Sequence, residues 1–325
     1  MNKQIRSRFI LLGFAIIVLG IALIFLSQVA ERDVEEEKVI EETDPLIEEE
    51  SNEVMSEIEF TAEEKAYIEK MKEKGVIKIA TRDSILIYEL DEQGNPQGFH
   101  YRIMKLFADY IGVEAEFRVI DFSEYFLING EVPETVKNDP ELSYSPDLFK
   151  EVDVYMDAIT EMPWRAKLMR FIHIIPTRQV VITRTGEEIE ALEDIIGRKI
   201  SLVKHTSQED KFKEIGAGLG VEFEYYYVDE IIDMSKAVSE GTADVSAHDS
   251  DRAILEIGEF GNLSISMIIS DMEHLSWAVE RDNEVLASIL EKYIDYLKRT
   301  EVFNKTWYEE YKVDLLDYLK LLDAD

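Results

Sequence analysis

Hydrophobic and polar positions divide the chain into three regimes. From Phe9 to Ala30 there is no charged residue, whereas the preceding "MNKQIRSR" carries Lys3, Arg6 and Arg8 and no acid. As a helix the uncharged run spans about 33 Å, enough to cross a bilayer core of about 30 Å. Residues 31–59 then hold fourteen Asp and Glu against Arg32 and Lys38. That stretch has too little apolar surface to fold alone and is extended by its own charge. From Thr61 onward, periodic segments begin and continue almost to the end.

"FTAEEKAYIEKMKEKG" predicts a helix, with a capping box formed by Thr61 and Glu64 and a stop at Gly75. "VIKIATR" predicts a strand, "GFHYRIMKLFADYIG" a helix and "VEAEFRVI" an alternating strand. "VDVYMDA" alternates as well. Beyond it come "KISLVK", "VEFEYYYV", "ADVSAHD", "LSISMII" and "LSWAVERD" as strands. The helices "TSQEDKFKEIG", "DEIIDMSKAVSEG" and "SDRAILEIG" separate them, and two amphipathic helices follow, "NEVLASILEKYIDYLKR" and "VFNKTWYEEYK". Strands alternating with helices imply βαβ units and mostly parallel sheets. So long an ordered region exceeds one comfortable core and divides into two α/β lobes. The segment at 121–152, with Pro133, Pro140 and Pro146, breaks the rhythm and predicts a loop excursion with short helical turns.

Composition narrows the function. The 325 residues carry a net charge of −34, which argues against a nucleic-acid partner and against loose adhesion to anionic lipid. The absence of cysteine removes disulfides, thiolate metal sites and cysteine nucleophiles. Residues one and three positions before any cleavage point near Ala30 are unsuitable for signal processing. The expectation is therefore a cytoplasmic tail at 1–8, an uncleaved transmembrane anchor at 9–30, an acidic linker at 31–60 and an extracytoplasmic remainder.

Three motifs carry candidate chemistry. "KHTSQED" places Thr206 and Ser207 where a strand ends and a capped helix begins, a position that favours an anion, although an ordinary capped helix has the same pattern. "ADVSAHDSD" ends a strand in Asp249, either a helix cap or a carboxylate facing a cation. "ITEMPWRAKLMRF" sets Arg165 beside Pro163 and Trp164, either as a surface charge or as a planar donor fork for a carboxylate. The five histidines have no metal-binding spacing, and no phosphate-binding loop or hydrolase elbow appears. No metal and no cofactor is expected.

Taken together, the motifs resemble the type II solute-binding proteins of family 3. "GVIKIATRDSILIYELDEQGNPQGFHYRIMKLFADYIGVEAEF" looks like the opening of that family, close to its sensor and lytic-transglycosylase branch. Asp153, Thr160, Arg165 and Phe171 match a second signature without a gap. "LEDIIGRKISLVKHTSQE", "GTADVSAHDS" and the segment from Leu275 to Tyr311 follow in family order, so the resemblance covers 61–312. It implies a Venus-flytrap clamshell, with lobe one at 61–181 and 272–325 and lobe two at 182–271. It also implies that Arg165 binds a ligand carboxylate, aided by Thr206 and Ser207, that Asp249 takes an ammonium group, that Thr160 assists, and that Tyr88 lies at an aromatic position of the first loop. Departures are Ile85 in an expected aromatic place, His100 and Arg102 where acids are usual, Ala158 where Gly is common, and His205 for the Gly before Thr206.

The resulting expectation is a membrane-anchored binding protein without catalysis. It would take an amino acid or related carboxylate and serve an ABC permease or a membrane sensor. The alternatives are a peptidoglycan-related or dehydratase-type enzyme, or an interaction protein with a vestigial cleft. Lytic transglycosylases of the similar branch carry a further catalytic domain, for which the residues after Lys312 are too few. Arg165→Ala is expected to abolish binding with little loss of stability.

Overall fold

The computed structural model describes residues 58–323. The apolar run at 9–30 and nearly all of the acidic run lie outside them. Among the described residues no helix is long and apolar enough to cross a membrane.

Helix α1 (Ala62–Lys74) leads into β1 (Val76–Thr81), the short hairpin β2 (Glu89–Leu90) and β3 (Pro96–Gln97), α2 (Phe99–Ile111) and β4 (Glu114–Val119). The start of α1 is closed in both directions. Glu64 N–H donates to Thr61 Oγ1 at 3.2 Å, and Thr61 N–H donates to Glu64 Oε2 at 2.7 Å. After the excursion come β5 (Val154–Thr160), β6 (Met169–Thr177), β7 (Gln179–Arg184), β8 (Lys199–Leu202), α3 (Ser207–Leu219), β9 (Glu224–Tyr227) and α4 (Ile231–Ser239). The chain finishes with β10 (Ser246–Asp249), α5 (Ser250–Phe260), β11 (Leu263–Ile268), β12 (Glu273–Glu280), α6 (Glu284–Leu297), α7 (Glu301–Tyr311) and α8 (Leu315–Leu322).

The largest sheet has the order β4-β1-β5-β12-β6. A second sheet has the order β10-β7-β11, and β8 pairs with β9. A bridge from Ile200 to Val245 links that pair to the segment entering β10. The chain passes between the large sheet and the smaller ones twice, at Arg178 and through residues 269–272. The two passages are tied together, because Gln179 N–H donates to Ser270 Oγ at 2.8 Å and Ile269 N–H to Gln179 O at 2.9 Å. One core, around Ile79, Phe107, Trp277 and Trp307, lies on the large-sheet side, and another, around Ile200, Phe212 and Val245, on the other.

The sheets are mixed, which corrects the expectation of mostly parallel pairing. β1 runs parallel to β4 and β5, but β12 is antiparallel to β5 and β6, and β7 is antiparallel to β10 and β11. β6 and β7 follow one another with one residue between them, so no helical crossover intervenes. Their burial is nearly continuous, which erases the two-residue alternation that marks a strand in sequence.

The loop around Leu86 and Ile87 depends on one glycine. Gly98 has φ 118°, and a Cβ there would stand 2.9 Å from Ile87 O and 3.0 Å from Ile87 C. The first turn of α2 binds that loop directly, His100 N–H to Leu86 O at 3.1 Å and Tyr101 N–H to Ile87 O at 3.0 Å. Gly98→Ala is expected to cost about 2–4 kcal/mol, through backbone strain and displacement of the loop. Urea denaturation measures it, and a loss below about 1 kcal/mol would contradict the packing.

His100 resolves one of the sequence departures. It is fully buried, and its Nδ1 accepts a hydrogen bond from Trp277 Nε1 at 2.8 Å. Burial pulls its imidazole down to about 4 from an ordinary value of 6.5. The unfolded chain therefore binds the proton first, and the histidine's contribution to stability is lost as pH falls from about 6.5 to about 4. The stability advantage of the wild type over His100→Gln should shrink by roughly 3 kcal/mol across that range. Parallel melts at pH 7 and pH 4 test this, and a constant difference would refute it.

Candidate functional site

β5 ends at Thr160, and Pro163 and Trp164 turn the chain into a single 3-10 turn, Arg165–Lys167, before β6 begins. The turn delivers the Arg165 side chain into the interior, where the residue is 2% exposed. Nη1 donates to Thr160 O at 2.9 Å, and Nη2 donates to His205 O at 2.9 Å. The guanidinium carbon lies 5.2 Å from the Trp164 ring centroid and 5.5 Å from that of Phe126. Burial lowers the group to about 10, so it stays charged at neutral pH. Arg165 is therefore also part of the packed interior, so its removal is expected to cost stability as well as binding.

The 121–152 excursion supplies Phe126, a partner that nothing near Arg165 in sequence announces. Its aromatic residues form a core with the Trp164 turn, including Tyr125, Phe126, Tyr155, Trp164 and Phe171. Two 3-10 helices, Phe122–Phe126 and Asp147–Lys150, punctuate it as expected. Lys137 reaches the start of α3 and pairs with Asp210 at 2.7 Å.

The α3 start has the Thr206 cap its sequence indicates, but not a full capping box, because Glu209 reaches back to His205 and not to Thr206. Thr206 is the N-cap, with Glu209 N–H donating to its Oγ1 at 3.2 Å while that hydroxyl donates to Val203 O at 2.8 Å. Ser207 Oγ lies 3.4 Å from Thr160 Oγ1. His205, where the resemblance leads one to expect glycine, takes φ 66° and turns its carbonyl to Arg165. Its N–H donates to Glu209 Oε2 at 2.7 Å.

Asp249 closes β10 and precedes α5 without making a side-chain cap. Its Oδ1 is buried with no hydrogen-bond partner. Burial, then the charges of Asp251 and Glu273, push its carboxyl well above the usual range. Burial likewise raises Asp251 to about 6, although Tyr311 donates its hydroxyl to Asp251 Oδ2 at 3.2 Å.

Arg165, Thr160, Thr206, Ser207 and Asp249 line one cavity of about 60 Å³, together with Arg82, Asp157, Asp251 and Arg252. That is room for a few waters. Tyr88 is not on this wall. Its ring stacks on Phe117 at 5.3 Å and meets Tyr101 edge-on at 5.5 Å, and Leu86 and Ile87 face the cavity in its stead. The first-loop assignment overlooked local geometry: Tyr88 N–H bonds Ser84 O at 3.0 Å, in a tight turn that carries the ring toward β4. Asp153 is also remote from the cavity, accepting from Lys78 N–H and Lys74 Nζ at 2.8 Å each. The sequence reading missed Arg82 and Asp157, which are joined at 3.0 Å. The available signal was "ATR" at the end of one strand and "YMD" within another, which the parallel pairing of Thr81 with Met156 sets side by side.

Known structures share this arrangement of sheets and crossings. A mutant of ArgBP from T. maritima superposes with a TM-score of 0.60 at 20% identity, covering 76% of this chain and 99% of that one. A cysteine-binding protein from Campylobacter jejuni gives 0.61 at 17% identity, covering 78% and 94%. The chain has the type II periplasmic-binding-protein fold. In sequence, this periplasmic-binding-protein fold is 26% identical over 258 residues to a membrane-bound lytic murein transglycosylase F of Pseudomonas fluorescens, covering 78% of this chain and 49% of that protein. The chain thus spans about half the length of the curated relative. No protein-family model matches it. Arg165 comes to the cavity from the turn between β5 and β6 of the large sheet, and Asp249 from the end of β10 in the second sheet.

Proposed function

We propose that this protein is a membrane-anchored, extracytoplasmic solute-binding protein whose lobes close around a small carboxylate-bearing solute, an α-amino acid, without catalysis. The observation that carries the reading is the placement on one cavity of a buried guanidinium, Arg165, and a half-buried carboxylate, Asp249, whose Oδ1 is buried without a partner, from different sheets. Arg165 offers a planar fork to a carboxylate, the α3 start adds backbone donors, and Asp249 receives an ammonium group. A zwitterion spanning them favours the closed form by touching both lobes at once. Solved neighbours include arginine-bound ArgBP and cysteine-binding proteins, which agrees with an amino-acid ligand. The apolar run at 9–30, behind a basic tail, supports anchoring with the lobes outside. Delivery to an ABC permease and signalling to a membrane sensor are the two outlets that such a position serves.

A second reading rests on the name of the curated relatives, murein transglycosylases. On that reading the cleft recognises a peptidoglycan fragment such as a short peptide. A thermal-shift screen of the full chain in mild detergent, against amino acids, organic acids and peptidoglycan peptides, separates the two. A ligand at one hundred times its dissociation constant stabilises by about 2.7 kcal/mol. A shift with peptides and none with amino acids would replace the first reading by the second.

A further inference from the structure

The cavity wall carries three arginines and three aspartates, but their charges are not equally spoken for. Arg82 and Asp157 satisfy one another at 3.0 Å, and Tyr155 donates its hydroxyl to the second oxygen of Asp157 at 2.9 Å. Arg252 is bound by Glu256 through its Nε and donates from Nη1 to Ser84 Oγ at 3.0 Å. Arg165 differs, because both its described hydrogen bonds go to neutral carbonyls and its Nε has no partner. Asp249 and Asp251 differ in the opposite sense. Each has one buried oxygen with no partner, and Asp251 is only 2% exposed. What remains for a ligand to complement is one cation and two carboxylates.

We infer that this cavity selects a cationic α-amino acid, one whose side chain ends in a second positive group, with Asp251 as the residue that reads that group. The inference rests on the amino-acid reading above and extends it. The ligand carboxylate goes to Arg165, and its two cationic groups go to Asp249 and Asp251. Leu86, Phe122, Ile231 and Met234 on the same wall provide apolar surface for a methylene stem between the charged ends. Burial and the repulsion from Asp251 and Glu273 hold Asp249 above the usual carboxylate range, and Asp251 is raised as well, so a cation between them relieves an existing cost. Gln179 Nε2 reaches Glu273 at 3.0 Å but supplies no charge.

The test is calorimetric titration of the full chain with lysine, arginine, norleucine and glutamate. Norleucine has the lysine stem without its ammonium. Lysine or arginine is expected to bind at least about tenfold more tightly than norleucine, with glutamate weakest. Asp251→Asn should narrow the lysine-to-norleucine ratio to within about threefold. Equal affinity for lysine and norleucine, or a ratio that survives Asp251→Asn, overturns the inference while leaving the amino-acid reading standing. The wild-type ratio decides even if the variant does not fold. Absence of binding by these and by every other α-amino acid overturns both.

Discussion

Arg165→Lys is expected to abolish measurable amino-acid binding and to lower the unfolding free energy by about 2–4 kcal/mol. The two effects have separate origins. Binding needs the planar fork, which an ammonium cannot reproduce even though it keeps the charge. Stability needs the bonds from Nη1 to Thr160 O and from Nη2 to His205 O, and the ring faces of Trp164 and Phe126 on the guanidinium. A lysine reaches at most one of those carbonyls and forfeits the stacking. Urea denaturation gives the stability loss, and calorimetry on the folded variant gives the affinity. A variant that binds within tenfold of the wild type would remove Arg165 from the ligand site. One that binds nothing yet is as stable as the wild type would show that its interior contacts contribute little.

Asp249→Asn is expected to do the reverse to stability. Affinity should fall by about 2–5 kcal/mol, at least some thirtyfold, because the ligand ammonium loses its charged partner. The fold should become more stable at neutral pH. Asp249 is held above its ordinary value of 3.8 by burial and by Asp251 and Glu273, so its ionisation opposes the folded state. The sign follows from linkage. Between the unfolded and the raised folded values the native chain binds more protons, so the wild type loses stability as pH rises through that window. The asparagine variant does not, and its advantage should be greatest at neutral pH and vanish near pH 4. Because Asp249 makes no side-chain cap to α5, the exchange removes no capping bond from that helix. Denaturation at pH 4 and pH 7.5 checks the sign, and a variant less stable than wild type at pH 7.5 would show the carboxylate to be a structural anion.

The same opposition appears elsewhere around the cleft. Neutral His100 and His248, both brought to about 4 by burial, favour the fold as pH rises, whereas Asp249 and Asp251 weaken it.

Much of the architecture was legible from local pattern. The α1 capping box and the α3 cap occur where Thr61 and Thr206 stand in the sequence, since a cap is decided within four residues. β4 and β5 announced themselves by alternation, and β1 by its place between α1 and α2. The nearly continuous burial of β6 and β7 concealed them, and α8 lay in a tail read only as too short for a domain. That helix places Tyr318 at the crossing strands, where its hydroxyl donates to Pro176 O at 2.8 Å.

Local pattern sets which residue types are available and in what order: an arginine after a strand, a capped helix after another, an aspartate closing a third. These are local facts, and short-range geometry settles them. It takes the packed fold to bury Arg165 between Trp164 and Phe126, to turn Tyr88 toward Phe117 and to set Asp251 on the cavity wall with an oxygen unpartnered. Each of those outcomes depends on partners far away along the chain. Burial and charge pairing are properties of the packed neighbourhood, and no single segment contains them.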